Sequence, residues 1–144
     1  MAGLLDKTIA RFQAADRQTR LELLLDYAER LPELPERYRA ARDQGLNRVP
    51  ECQSPVFLFL EREDGGVTLH ADAPREAPTV RGFVALIARA VKRVPPAELA
   101  TIPADLLDRL GLTEALGMTR MHGLTAIVGR VRRMGMEVGE SRPD

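Results

Sequence analysis

The chain has 144 residues, which is enough for one domain that buries a core without disulfides or metals. Lys plus Arg and Asp plus Glu balance at 21 each and aromatic residues make up 4%, so the basic excess and the base-stacking surfaces of a nucleic-acid-binding protein are both missing. One cysteine and two histidines are too few for a zinc site, no apolar run reaches the ~20 residues that span a bilayer, and no secretory apolar segment opens the sequence, so we expect a cytoplasmic protein.

Two amphipathic helices are predicted in the first part of the chain. Leu5, Ile9 and Phe12 share one face of a helix over residues 4–15, and Thr19 is placed to cap the next helix. That second helix has the strongest amphipathic pattern in the sequence, and the proline-containing segment that follows ends it. Its predicted buried face consists of Leu21, Leu24, Leu25, Ala28 and Leu31.

A polar connector over residues 35–50 leads from these helices to the single cysteine. It lacks periodicity, so we interpret it as a loop with at most one helical turn at residues 36–42 and a short strand near residues 47–49. A long irregular segment in a small domain is often functional. Cys52 follows it directly and lies just before an apolar run.

The apolar run opens a predicted β-hairpin. Val56–Glu63 and Val67–Ala71 have strand composition, and Asp64-Gly65-Gly66 between them is a hairpin turn signal. The first five residues of the first strand are continuously apolar rather than alternating, which indicates a strand covered on both faces.

Helices are predicted again after the hairpin. One helix begins at Thr79 and extends to Val91, with Gly82 permitting a close approach of another backbone, and a short helix covers residues 103–110. The last helix begins near Thr119 or Arg120. Its inner face consists of Leu124, Ile127, Val128 and Val131.

The elements predict one α+β domain over residues 1–144. Its core is a small antiparallel sheet with helices packed mainly on one side, and the helix of residues 80–91 and the last helix cover that sheet. Residues 1–3 and 137–144 are expected to be frayed.

Cys52 is the residue on which the predicted chemistry depends. A lone cysteine is either a candidate nucleophile or a small buried hydrophobic residue. The neighbouring Glu51 would raise the pKa of the thiol, and Arg120 would lower it if it lay close. Three functions stay open: a covalent carrier, a stand-alone cysteine hydrolase or transferase that uses a base such as His122, and an interaction domain with an inert cysteine.

Four blocks of the sequence resemble the SufE family of sulfur acceptors for cysteine desulfurases, in the family's order and spacing from about residue 5 to residue 134. They are Leu31-Pro32-Glu33-Leu34, Val49-Pro50-Glu51-Cys52-Gln53-Ser54-Pro55-Val56, Thr79-Val80-Arg81-Gly82 and Leu116-Gly117-Met118-Thr119-Arg120-Met121-His122-Gly123-Leu124. The family usually has Gly where Glu51 stands and a residue with an N–H where Pro55 stands. The resemblance therefore implies a stiffer loop and a less acidic thiol in this chain.

The resemblance also implies a fold and a function. The fold would be like that of the iron–sulfur scaffold IscU. Cys52 would take persulfide sulfur from a PLP-dependent desulfurase of the SufS or CsdA type, stimulate that enzyme and pass the sulfur to a SufBCD-type scaffold. The protein would be a monomer or weak dimer that holds no cofactor or metal and is not an independent enzyme. The partner-binding residues that the resemblance implies are Glu51, Gln53, Ser54, Arg120 and Gly123.

Overall fold

The computed structural model describes residues 3–140, in which helices pack around a two-stranded antiparallel sheet. The α+β prediction is confirmed. None of the helices in this part of the chain is both long enough and apolar enough to cross a membrane. The elements are α1 (Asp6–Gln13), α2 (Arg17–Glu29), α3 (Glu36–Asp43), β1 (Phe57–Glu63), β2 (Gly66–Asp72), α4 (Pro78–Ala90), a 3₁₀ helix (Pro96–Thr101), α5 (Leu106–Arg109) and α6 (Thr113–Glu140).

The two ends of the chain were expected to fray. Within the described residues, the Gly3 N–H donates to Asp6 Oδ2 at 2.6 Å, and α6 continues to Glu140. The first half of the tail predicted from Glu137 is therefore helical. Residues 1–2 and 141–144 lie outside the described residues.

The hairpin forms where the sequence predicts it. Phe57 pairs with Asp72 at one end of the sheet, and Glu63 pairs with Gly66 at the other. Asp64 and Gly65 connect the strands, both with positive φ (45° and 81°), which is the backbone of a two-residue hairpin turn whose twist matches that of the strands.

The connector lies along the outer edge of β1. The Leu58 N–H donates to the Asn47 carbonyl at 3.1 Å, and the Val49 N–H donates to the Val56 carbonyl at 2.9 Å. The short strand predicted near residues 47–49 is thus present as an isolated bridge rather than as a full strand. It shields an edge that would otherwise offer unpaired backbone groups.

Both faces of β1 are covered, as its continuous apolar run predicts. Leu58 belongs to the main core, whereas Phe57 and Phe59 point the other way and pack against α3. Tyr38 of α3 stacks on Phe59 with 4.7 Å between ring centroids, and Ala41 packs beside it. These contacts explain why α3 is an eight-residue helix where the sequence predicts at most one turn.

The main core lies on the opposite face of the sheet. It is shared by β2, α4 and α6, so the prediction that helices pack mainly on one side is correct. Its contributors include Leu69 and Ala71 from β2, Val84 and Ile87 from α4, and Leu124, Ile127, Val128 and Val131 from α6.

Helix α4 packs against α2 with the two backbones almost in contact. A Cβ on Gly82 would lie 2.1 Å from the carbonyl oxygen of Leu24, so the close approach predicted for Gly82 is confirmed. Leu24 and Ala28 are buried, whereas Leu25 is 42% exposed and its predicted place on the buried face is wrong. Because the helices meet at backbone distance, only a narrow stripe of α2 is buried.

Arg81 is a buried arginine that joins α4 to the end of α2. Its Nε donates to the Ala28 carbonyl at 2.9 Å, and its Nη1 donates to the Ala73 carbonyl at 2.6 Å. In a regular helix the Ala28 carbonyl would accept from the N–H of residue 32, which is Pro32 and has none. Arg81 therefore satisfies a carbonyl that the proline leaves without a donor.

Helix α6 is interrupted at Gly117. This residue has φ 77° and ψ 162°, which is far from helical and is accessible to glycine at little cost. The helical segment that starts at Thr113 thus ends at this kink, and the long final helix begins just after it, close to the predicted start near Thr119 or Arg120. We call residues 118–140 the long arm of α6.

Candidate functional site

Cys52 lies on a short loop that is tied at its base. The Val49 N–H bonds to the Val56 carbonyl and closes the loop, and the Cys52 N–H donates back to the Val49 carbonyl at 3.2 Å to form a tight turn. Pro50 and Pro55 stand near the two ends and fix φ there. The loop thus starts and ends on a fixed sheet edge, and motion is restricted to the few residues between.

The thiol rests on the long arm of α6, on a seat formed by Gly123. Cys52 is 6% exposed, and its Sγ lies 3.4 Å from the Gly123 carbonyl oxygen as a weak donor. A Cβ on Gly123 would lie 3.1 Å from Sγ and 3.3 Å from the Cys52 Cα. The missing side chain is therefore what lets the loop settle this closely on the helix.

A cleft of about 270 Å³ opens beside the thiol. It brings together four of the predicted site residues with Cys52, namely Gln53, Ser54, Arg120 and Gly123. Glu51 is exposed next to the cleft without lining it. The remaining wall consists of Glu76, Ala77, Val80, Thr119 and Leu124.

Burial is the main cause that raises the pKa of the Cys52 thiol to about 11, and the negative charge of Glu51 contributes to this shift, as predicted. The charge that opposes this shift belongs to Arg48, a residue to which no sequence motif points. Arg48 donates through Nη2 to the Gln53 carbonyl at 3.4 Å, and its own carbonyl accepts from Arg130 Nη2 at 3.0 Å. At neutral pH the seated thiol is therefore protonated and a poor nucleophile.

Arg120 and His122 lie on the first turns of the long arm and have different relations to the cleft. Arg120 is exposed at the cleft wall, where its Nη1 donates to Thr79 Oγ1 at 3.4 Å. It is not among the charges that shift the pKa of the Cys52 thiol. His122 is exposed and lies outside the lining of the cleft, so within residues 3–140 no histidine is positioned to take a proton from Cys52.

Glu61, Glu63 and His70 on the hairpin are close enough to one another to be considered as metal ligands. The Glu61 carboxylate, however, already accepts from Arg37 Nε at 2.8 Å and from the Tyr38 hydroxyl at 2.8 Å, and it lies 3.1 Å from His70 Nε2. These bonds lower the pKa of Glu61 to about 2. The cluster is explained as a hydrogen-bond network that joins α3 to the sheet.

Comparison with known proteins covers nearly the whole chain. The model of the SufE Fe-S metabolism associated domain matches residues 6–134. An uncharacterized SufE-like protein of Mycobacterium tuberculosis is 36% identical over 130 residues, which cover 90% of this chain and 89% of the relative. A SufE-like protein of Synechocystis sp. is 29% identical over 140 residues, with 95% and 84% covered.

A solved structure shows the same fold. The solution structure of a hypothetical protein from Thermus thermophilus matches this chain with a TM-score of 0.80 and 28% sequence identity. The match covers 98% of this chain and 100% of the other. Both kinds of similarity thus include the Cys52 loop and the helix that seats it.

Proposed function

This chain belongs to the SufE family, and from that premise we propose that it is a sulfur acceptor of Fe-S metabolism whose covalent site is Cys52. The donor is a PLP-dependent cysteine desulfurase of the SufS or CsdA type, and the protein stimulates that enzyme by removing its sulfur. The recipient is a SufBCD-type scaffold. The transfer takes place in a reducing cytoplasmic compartment, where Cys52 stays a free thiol.

The proposed step is an exchange at sulfur. The Cys52 thiolate attacks the terminal sulfur of the desulfurase persulfide, a bond forms between that sulfur and Cys52 Sγ, and the bond to the donor cysteine breaks. The donor cysteine leaves as a thiolate, so the electrons balance without an external oxidant or reductant. The proton that Cys52 loses passes to solvent or to the departing thiolate.

One observation carries this proposal: the thiol is seated in a cleft on a loop whose ends are fixed to the sheet. The seat keeps Cys52 protonated and 6% exposed at rest, which suits a group whose persulfide would be lost to oxidants or reductants in water. Docking of the donor would lift the loop and supply an environment in which the thiolate forms. Glu51, Gln53 and Ser54 then face the donor.

The proposal is tested by intact-mass spectrometry after incubation with the desulfurase and free cysteine. We expect a mass gain of one sulfur atom that disappears on reduction, and no gain in the Cys52→Ser variant. Binding of that variant to the desulfurase should persist because the loop shape is kept. Labelled sulfur on Cys52→Ser would refute the proposal.

Arg120 is proposed to contact the donor rather than to activate the thiol. Its side chain is exposed at the cleft, and the pKa of Cys52 does not depend on it. Arg120→Ala should weaken desulfurase binding or stimulation and leave the alkylation rate of the free protein unchanged.

The alternative functions make different predictions. A stand-alone hydrolase or transferase with His122 as base predicts that His122→Ala abolishes activity, whereas the carrier proposal expects a modest effect because His122 lies outside the cleft lining. An interaction domain with an inert cysteine predicts no sulfur adduct on the wild-type chain or on its Cys52→Ser variant.

A further inference from the structure

The outer edge of β2 is only half covered. The N–H groups of Val67 and Leu69 donate to the carbonyls of Val94 (2.7 Å) and Val91 (2.9 Å). Backbone groups of alternate residues point to the same edge of a strand, so the next outward N–H is that of Ala71. Among the described residues no hydrogen bond from the Ala71 N–H is formed, although Ala71 is 4% exposed. An unpaired backbone N–H at a strand edge is a place where an acceptor of another chain can bind.

A groove of about 410 Å³ extends along this open edge. Leu69 and Ala71 of β2 and Ala88 of α4 supply a buried apolar floor. The facing wall is the extended segment that follows α2, with Leu31 and Pro35. An extended chain fits such a groove because its backbone can bond to the strand edge while alternate side chains point to the floor.

The rim of the groove is positively charged. Arg89 and Lys92 are exposed there, and within residues 3–140 neither forms an ion pair. Arg30 also lines the groove and is paired with Asp26 at 2.6 Å, and the acidic rim residue Glu33 is 3.7 Å from a cation outside the groove. These two unpaired side-chain cations therefore favour a segment that brings carboxylates to the edge of β2.

We propose that this groove binds an extended segment of a partner protein that alternates acidic and apolar residues and adds as a short strand to β2. A carbonyl of that segment accepts from the Ala71 N–H. Its apolar side chains point to the floor, and its carboxylates bond to Arg89 and Lys92.

The groove and the Cys52 cleft lie toward opposite ends of α4. Val80 lines the cleft, whereas Ala85 and Ala88 line the groove, about 8 Å and about 12 Å further along the helix. The two sites share no lining residue. A partner at β2 can therefore stay bound while the Cys52 loop is engaged elsewhere, and the inference does not depend on sulfur transfer.

The test uses the ¹⁵N-labelled protein and the peptide acetyl-Asp-Val-Glu-Val-Asp-amide. We expect chemical-shift changes at Leu69, Ala71 and Ala88, none at Cys52, and at least about tenfold slower amide exchange at Ala71 when the peptide is saturating. Unchanged exchange at Ala71 would overturn the proposal, as would equal binding of acetyl-Lys-Val-Lys-Val-Lys-amide.

Paired charge reversals complete the test. Arg89→Glu with Lys92→Glu should weaken the affinity for the acidic peptide about tenfold or more. Lys7→Glu with Arg11→Glu is the matched control, because these two residues are also exposed, on α1, and lie outside the groove. Equal weakening by both pairs would show a general charge effect and would also overturn the proposal.

Discussion

At the scale of single residues, the Cys52 thiol is kept unreactive mainly by its seat. Burial is the largest cause of its raised pKa, the charge of Glu51 adds to the shift, and Arg48 opposes it. A thiolate forms readily only when the sulfur is more exposed or when a cation outweighs Glu51. The resting chain keeps its one thiol buried and protonated, so reactivity requires a change in the exposure of the sulfur or in the charge around it.

The first prediction concerns the pH dependence of Cys52 alkylation. Only the thiolate reacts, so a pKa raised to about 11 means that the rate of the native protein keeps rising with pH well above the pH at which an unfolded thiol is already ionised. In Glu51→Gln the profile should shift to lower pH, because a like charge is removed. Iodoacetamide rates measured between neutral and alkaline pH provide the test.

Two further variants separate charge from flexibility. Glu51→Gly should react faster than wild type at neutral pH, and faster than Glu51→Gln if glycine also loosens the loop. Glu76→Gln is the matched control, since Glu76 lines the same cleft but does not shift the pKa of Cys52. Equal pH profiles for Glu51→Gln and Glu76→Gln would show that the charge of Glu51 does not raise the pKa of Cys52.

Met118 is the second residue at which we expect a substitution to have an effect, in this case on the binding of the desulfurase. It is 85% exposed directly after the Gly117 kink and next to Thr119 and Arg120 of the cleft wall. A large exposed apolar side chain beside a docking cleft gains free energy when a partner covers it. Met118→Glu should weaken desulfurase binding about tenfold, measured by titration calorimetry, with unchanged alkylation of Cys52.

Met136 supplies the control for that variant. It is 55% exposed on the same helix, 18 residues further along and therefore about 27 Å from Met118. Met136→Glu should bind the desulfurase like wild type. Equal loss in both variants would mean that no local contact is made at Met118.

At the scale of elements, the contact between the Cys52 loop and α6 depends on glycine. Alanine is normally favoured over glycine in a helix by about 1 kcal/mol, but at position 123 its Cβ would press on the Cys52 sulfur. Gly123→Ala should therefore gain no stability and should speed alkylation of Cys52. Thermal unfolding and iodoacetamide rates measure the two effects.

Gly129 lies on the same helix and tests this explanation. The nearest atom to a Cβ there would be the flexible end of Arg133, at 3.4 Å. Gly129→Ala should raise the free energy of unfolding by about 1 kcal/mol and leave Cys52 unchanged. Faster alkylation in Gly129→Ala would show that the seat is not specific to Gly123.

Several elements could be predicted because their patterns are local. The hairpin follows from its turn signal, and the close contact at Gly82 follows from a glycine placed on the first turn of a helix. The cap of α2 was predicted at the wrong residue: Asp16 accepts from the Thr19 N–H at 2.8 Å, so Thr19 is the donor in the first turn. Helix α3 was underestimated because its stability comes from packing on β1 and not from its own pattern.

The site itself could be predicted only in part. Cys52 stands out because it is the only thiol, and the family resemblance points to Arg120 and Gly123. The contact between Cys52 and Gly123 joins residues 71 positions apart, which no periodicity reveals. Arg48 and Arg81 resemble ordinary surface cations in the sequence, and their roles depend on the carbonyls and charges that the fold brings to them.

At the scale of the whole molecule, Arg81 joins segments of the chain that are far apart in sequence. It links the end of α2 to the loop before α4, and Val80 beside it lines the Cys52 cleft. Arg81→Met should lower the free energy of unfolding by about 3 kcal/mol, because buried carbonyls at Ala28 and Ala73 lose their donor. Chemical denaturation measures this loss.

Arg11 supplies the control for the Arg81 variant, because it is an arginine on an exposed helix face. Arg11→Met on the exposed side of α1 should change stability by no more than about 0.5 kcal/mol. Arg81→Lys should recover little of the lost stability, because an ammonium group lacks the rigid fork of donors with which the guanidinium reaches two separate carbonyls. A fully stable Arg81→Met would mean that water replaces the guanidinium without loss.

The hydrogen bond between Val49 and Val56 makes the Cys52 loop a short tether. Only three peptide units separate Val49 from Cys52, so even a fully extended loop carries the Cys52 Cα no more than about 10 Å from the sheet edge. Such a tether keeps the thiol at a high effective concentration near any donor that docks at the cleft. Beyond the reach of the loop, this effective concentration falls to nearly zero. In the proposed transfer, the molecule therefore selects its donors by distance as well as by surface, because a partner whose sulfur lies deeper than the loop can reach cannot pass that sulfur to Cys52.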